Sequence, residues 1–173
     1  LNNKNNLMKA AVLFKPKTKL KIIDNITIPE LKNGQVLIKI EHTSICHSQI
    51  MEIDGLRGKD KYLPHMLGHE GIGRVVSKHI SVKKIKVNDL VILTWIKSKG
   101  INSQPPIFKK GKKIINAGQI TTFSNYTIVS ENRVIKKPRG LNIKEAVLYG
   151  CAVPTGTGMV VKQAKLKNNE FLA

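Results

Sequence analysis

Three residues of this chain have the types and local settings for a single metal site: Cys46 in the stretch SICHSQ, His69 in LGHEG and Cys151 in YGCAVPTG. Thiolate and imidazole are the donors that a borderline-soft zinc ion prefers, and three protein ligands leave the fourth tetrahedral position open to water or substrate. Such a set describes a catalytic centre. Cys46 and Cys151 are the chain's two cysteines. With no secretory signal ahead of them a structural disulfide is not expected, because cytosolic thiols stay reduced. Spacing alone is weak support, since three candidate ligands scattered along a chain occur by chance in many proteins. The other histidines are less well placed. His42 falls in a strand-like run, His65 follows Pro64 just before the LGHEG block, and His79 lies in a lysine-rich turn. His65 is the nearest alternative, as a residue lining a substrate pocket.

The elements that must bring these residues together are mostly strands. At 173 residues, 41% hydrophobic and 24% charged, the chain has the composition of one soluble domain with its own core. Residues 8–14, 19–26 and 35–42 are short, rich in Ile, Val and Leu, and separated by Lys-Pro-Lys and Lys-Asn-Gly turn signals, which predicts a meander. From His47 to Asp54 the pattern changes: Ile50 and Ile53 stand three apart with Gly55 behind them, as in a short helix ended by glycine. Residues 71–80, 89–96 and 123–129 return to strand character, and 97–120 is expected to be a loop. Asn142, with Glu145 three residues on, opens a helix through Leu148, and a second helix is expected from Thr155 to Ala164, after Pro154. The expected fold is mainly β, a mostly antiparallel barrel with peripheral helices.

Thirty Lys and Arg against eleven Asp and Glu give a formal charge of +19, which raises the question of a nucleic-acid or anionic-membrane partner. The distribution argues against it. The lysines are scattered among Asn and Ile, and only Lys109 to Lys113 (KKGKK) is a compact basic cluster, expected to be a solvated loop. Aromatic residues make up 5% and nowhere alternate with basic ones as a base-stacking surface requires. No run of the sequence approaches the length of apolar chain that spans a bilayer, and no cleavage site follows the basic start. A cytoplasmic location is expected, with neither nucleic acid nor membrane as partner.

Five ordered blocks make the chain similar to the zinc-containing medium-chain alcohol dehydrogenases. They are Cys46-His47-Ser48, then Leu67-Gly68-His69-Glu70-Gly71-Ile72-Gly73, the strand start Asn88-Asp89-Leu90-Val91, Thr122-Phe123-Ser124-Asn125-Tyr126, and Gly150-Cys151 followed by Thr155-Gly156-Thr157-Gly158. The resemblance runs from Met8 to the end. It implies a partly open barrel of the GroES type as catalytic domain, with Cys46, His69 and Cys151 as the ligands of one catalytic zinc. It also implies the chemistry: two thiolates balance the ion's charge, an alcohol at the open position loses its proton, and a hydride passes to NAD or NADP. By the same resemblance Ser48 hydrogen-bonds the substrate oxygen and begins the proton's exit. His47 takes that proton or faces the cofactor's pyrophosphate, Glu70 stands behind the metal, and Thr155 packs near the nicotinamide. Without the resemblance Ser48 and Thr155 read as helix caps, Glu70 as a surface charge and His47 as a solvated residue at a helix start.

The departures from that family carry information too. Relatives usually place Asp three positions after the first ligand, bonded to the ligand histidine, where this chain has Gln49, a neutral and weaker orienting partner. A second histidine that ends the proton relay in some relatives is Met51 here. Glycines expected near His79 and Asn88 are also replaced, at turns where Asn tolerates a left-handed backbone better than His. The four-cysteine structural zinc site of many relatives cannot form, because both cysteines are already assigned. Gly156-Thr157-Gly158 is not a dinucleotide fingerprint, since Val161 stands at the third glycine and no suitable strand precedes it.

These readings divide the chain into a disordered extension over residues 1–7, a zinc-binding domain over 8–154, and a helix and linker over 155–173 leading toward a nucleotide-binding domain that the sequence does not contain. The expected function is zinc-dependent oxidation of an alcohol, or reduction of an aldehyde, with NAD(P). The catalytic domain is expected to be an incomplete fragment inactive by itself, and the full-length enzyme a possible homo-oligomer. The alternative is a non-catalytic GroES-like interaction module. A basic nucleic-acid binder is the third reading.

Overall fold

The computed structural model describes residues 6–165, 167 and 169–171. Among them ten strands form two sheets. A small closed barrel joins β1 (Leu7–Leu13), β2 (Lys21–Thr27), β7 (Ile107–Lys110), β8 (Lys113–Asn116) and β4 (His65–Met66). A five-stranded sheet runs in the order β10 (Val134–Lys136), β6 (Leu90–Leu93), β5 (Gly71–Lys78), β3 (Gln35–Thr43), β9 (Tyr126–Ser130). All pairings are antiparallel except β4 with β8. The expected mainly β fold with peripheral helices is the one found. Among the described residues no helix is long and apolar enough to cross a membrane.

The second sheet packs on both of its faces. On one face Val36, Ile38, Val75, Val91 and Leu93 pack with Val129 and Val134, and on the other Ile72 and Ile92 pack against Ala146 and Val147. Strands β5 and β6 are therefore covered on both sides, which suits the unbroken apolar run of β6, Leu90–Leu93. Gly73 lets β5 approach β3 closely, since a Cβ there would lie 2.7 Å from Ile38 Cγ2. A further core fills the barrel, built on Met8, Val12, Ile26, Phe108 and Ile115 and joined by Leu37 and Ile128 of the second sheet.

The structure corrects several boundaries. β1 begins at Leu7, and the Asn6 carbonyl accepts the Ile28 N–H at 2.8 Å, so these two residues of the expected extension join the fold. Residues 1–5 lie outside the described residues. The expected loop 97–120 contains the β7–β8 hairpin, and the KKGKK cluster spans its turn, with Gly111 at φ +56°. Its solvated character stands, because Lys109, Lys110, Lys112 and Lys113 are all exposed. Helix α1 (His47–Ile53) ends at Gly55 (φ +69°) as expected. Asn142 caps α2 (Ile143–Ala146) by accepting the Lys144 N–H at 2.8 Å, and a 3-10 turn, Val147–Gly150, follows. Helix α3 (Ala152–Gly158) starts three residues before Thr155, with Pro154 in its first turn, where a missing N–H costs nothing. It continues as wider turns through Met159–Ala164. The Gly156 and Gly158 pair thus lies inside a helix. Asn88 is left-handed at φ +71°, as its turn requires, whereas His79 is not among the positive-φ residues and bears no such strain.

Candidate metal centre

Three separate junctions of the fold carry the three ligand candidates. Cys46 is the N-cap of α1, with extended backbone (φ −95°, ψ 147°), and its carbonyl accepts the Gln49 N–H at 3.0 Å. His69 lies in the link from β4 to β5, behind Gly68 at φ +96°. Cys151 is the N-cap of α3. Their ligand atoms all fall within 4.8 Å of one another, and all three residues are half-buried. Segments remote along the chain therefore converge as the sequence reading required.

Buried polar side chains tie these junctions together in pairs. Gln49, inside α1, accepts the Gly68 N–H through Oε1 and places Nε2 3.1 Å from His69 Nδ1. Glu70 is buried and accepts the Ala152 N–H at 3.2 Å, so its carboxylate caps the helix that Cys151 begins. The Glu70 carbonyl is held in turn by the hydroxyls of Thr43 and Thr122, each at 3.0 Å. Gly150 is needed at this crossing, because a Cβ there would stand 2.7 Å from Glu70 Cβ. Thr155 is the fourth residue of α3; its hydroxyl lies 3.8 Å from Cys151 Sγ.

The electrostatics suit a cation. Burial holds the His69 imidazole below its ordinary pKa, against the opposing pull of Glu70 and Glu52, so the ring is neutral and able to donate a lone pair. Burial pushes the Cys151 thiol up; the Thr155 hydroxyl opposes this, while Cys46 and Glu70 reinforce it. Crowding two thiols beside a carboxylate raises the proton affinity of the site, and a divalent ion relieves the same crowding. The donor set, two thiols and one imidazole with a side left open to the cleft, fits zinc. Gln49 fits less well. An ion on Nε2 of His69 needs its proton on Nδ1 and an acceptor opposite, and Gln49 presents its amide nitrogen there while its oxygen serves Gly68.

The cluster opens into a cleft of about 750 Å³, lined by Cys46, Ser48, His69, Cys151 and Thr155 together with an exposed Trp95. That volume accommodates a small organic substrate. Of the expected site residues, Ser48 lies in the cleft wall but inside α1 rather than at its cap, so the capping alternative fails. Thr155 is likewise inside α3 and not its cap. His47 is exposed at the first position of α1, off the cleft wall. The surface-charge alternative for Glu70 fails on its burial. Residues that the sequence reading passed over also border the cleft, notably Glu52 and Arg57. The spacing of Glu52 from Ser48, four residues along and about one helical turn, was the available signal.

Residues 32–139 match the alcohol dehydrogenase GroES-like domain. This chain belongs to the alcohol dehydrogenase family through that domain. It is 30% identical to an S-(hydroxymethyl)glutathione dehydrogenase of Photobacterium damsela subsp. piscicida, over 95% of this chain and 51% of that protein. An enzyme of the same name from Escherichia coli strain SMS-3-5 / SECEC is also 30% identical over the same shares. The chain thus spans about half the length of these curated relatives. Among solved structures it resembles an alcohol dehydrogenase zinc-binding domain protein from Burkholderia ambifaria (TM-score 0.80, 21% identity, 93% of this chain and 50% of that one). It also resembles the benzyl alcohol dehydrogenase of Acinetobacter calcoaceticus (TM-score 0.76, 22% identity, 93% and 49%). At these identities the structural likeness speaks for the fold, shared with about half of each of those chains.

Proposed function

We propose that this domain holds one zinc ion between Cys46, His69 and Cys151 and serves as the catalytic half of an oxidoreductase that interconverts an alcohol and an aldehyde with NAD(P). The observation that carries the reading is the convergence of those three side chains, from three distant segments, at the wall of a cleft of substrate size. Bound there, zinc supplies Lewis acidity to the substrate oxygen. The protein's own residues do the rest. Ser48, in the same wall, hydrogen-bonds that oxygen and relays its proton, accepting it as the serine hydroxyl gives its own hydrogen to the next acceptor. His47, exposed at the start of α1, passes the proton to solvent or meets the cofactor's phosphates. Gln49 and Glu70 position the ligand segments, and Thr155 shapes the side of the cleft where the nicotinamide enters. The cofactor's binding fold belongs to a part of the enzyme outside this sequence. The cytoplasmic location belongs to the same proposal.

The test is elemental analysis of the purified chain. One zinc per chain is expected, lost in Cys46→Ala and in Cys151→Ala. Protein that binds no metal and whose two thiols titrate freely would overturn the reading.

A further inference from the structure

A second cluster lies on the same cleft, built from harder donors. Glu52 comes from the last turn of α1, Asp60 from the following loop and His65 from the start of β4; their ligand atoms all lie within 4.8 Å of one another. His65 Nε2 stands 2.7 Å from Asp60 Oδ2 and 3.8 Å from Glu52 Oε1, and the imidazole side chain is 8% exposed. Glu52 and His65 both border the cleft.

The hydrogen bonds around the cluster fix its chemistry. His65 Nδ1 lies 3.0 Å from the Met66 carbonyl oxygen, which can only accept, so Nδ1 carries a proton. Nε2 is left facing two carboxylate oxygens, and a bare lone pair there would repel both. A hydrogen on Nε2, or a metal ion among the three groups, removes that repulsion. The outer atom of each acidic group is also occupied: Glu52 Oε2 accepts from Gln49 Nε2 at 3.5 Å, and Asp60 Oδ1 accepts the Tyr62 N–H at 2.8 Å. Each of the three side chains is thus held from behind by one donor or acceptor, while its remaining atom points to a common centre. Outer bonds of this kind, a ring N–H on a backbone carbonyl above all, orient metal ligands.

We propose that Glu52, Asp60 and His65 form a second divalent-cation site. One imidazole and two carboxylates supply two negative charges and a donor set suited to zinc or manganese, with open positions toward the cleft where a substrate oxygen can reach. His65 Nε2 and Asp60 Oδ2 must part by a few tenths of an ångström, since ligands roughly 2.1 Å from one ion lie about 3 Å apart or more. The site shares no ligand with the thiol cluster, although Gln49 Nε2 stands between Glu52 and His69, and it does not rest on the function proposed from that cluster.

The test is a Co²⁺ titration of the metal-free chain near neutral pH. Bound cobalt is measured by elemental analysis, and the thiolate-to-cobalt charge-transfer absorption reports Cys46 and Cys151 separately. The expected result is two bound ions per chain, with the charge-transfer band complete after one. Asp60→Asn and His65→Gln should each remove the ion that lacks the band and leave the other in place, and Cys46→Ala should do the reverse. A single bound ion in the unaltered chain, or two ions that survive both Asp60→Asn and His65→Gln in protein that melts cooperatively, would mean that the cluster holds only a proton. Cobalt that binds without any charge-transfer band, and is lost in Asp60→Asn, would support this site and remove the thiol one.

Discussion

Glu70 and Glu131 are both buried carboxylates that accept backbone N–H groups, yet they sit in opposite circumstances. Glu131 takes three such donors, from Lys83 and Lys84 on Oε1 at 2.7 and 2.8 Å and from Ile101 on Oε2 at 2.9 Å. Burial alone would raise its pKa, but those donors and the Lys84 charge hold it below the usual carboxylate range. Glu70 accepts one backbone N–H, from Ala152, and its charge instead raises the proton affinity of His69 and Cys151. A carboxylate saturated by the main chain fastens loops together. One left undersaturated beside a ligand acts on the neighbouring chemistry.

The sharpest break in that comparison is Glu131→Gln, which turns an amide N–H₂ toward at least one N–H donor. Stability to urea should fall by about 2–3 kcal/mol, with the bound metal unchanged. The pH dependence has a definite sign. Because folding lowers the Glu131 pKa, its stabilisation is full above the unfolded carboxylate pKa of about 4.3 and is lost as pH falls through the lower folded value. The Glu131→Gln variant should therefore lose less stability between neutral and acid pH than the parent.

Glu70→Gln should show the complementary pattern: a smaller loss of stability and a zinc affinity lower by about tenfold, read by competition with a chelator. In the parent, apparent zinc affinity should climb as pH rises, because the ion must displace the proton that burial holds on Cys151. With Glu70 neutral, that climb should begin at lower pH. If both variants weaken zinc equally, the distinction between the two carboxylates fails. Gln49→Asp sharpens the same contrast from the other side, by placing an acceptor opposite His69. It should tighten zinc severalfold, and unchanged affinity would mean that the amide already turns its oxygen to the ring. The smallest effect belongs to a position remote from both, where Asn88→Ala should cost about 1 kcal/mol, measured by thermal melting, because alanine lacks asparagine's tolerance for a left-handed backbone.

Much of this could be read from the residues. The α1 segment was legible because Ile50, Ile53 and Gly55 give its period and its stop, and the candidate metal-binding trio because Cys46, His69 and Cys151 each sit in a distinctive block. The β7–β8 hairpin was not, for a physical reason: Phe108 and Ile115 are the only fully buried residues in their respective four-residue strands, and the lysines around them look like a loop. Two-residue β4 offered no period at all. The cluster of Glu52, Asp60 and His65 escaped because Asp60 stands in a polar run of Gly and Lys, and only the return of the chain at Pro64 brings it against the imidazole. Glu70 kept a surface charge as its alternative reading until its burial and its bond to Ala152 were known.

Helix α3 buries none of its own side chains. Its first turn is fastened to the body through the Glu70 carboxylate and, with the proposed ion in place, through the Cys151 sulfur as well. The ion would then double as a rivet, and its removal should be felt as local fraying before any global melting. Limited trypsin digestion gives the direct reading: cleavage at exposed Lys162 should quicken when a chelator strips the metal, while the sheet that holds β5 and β6 stays intact.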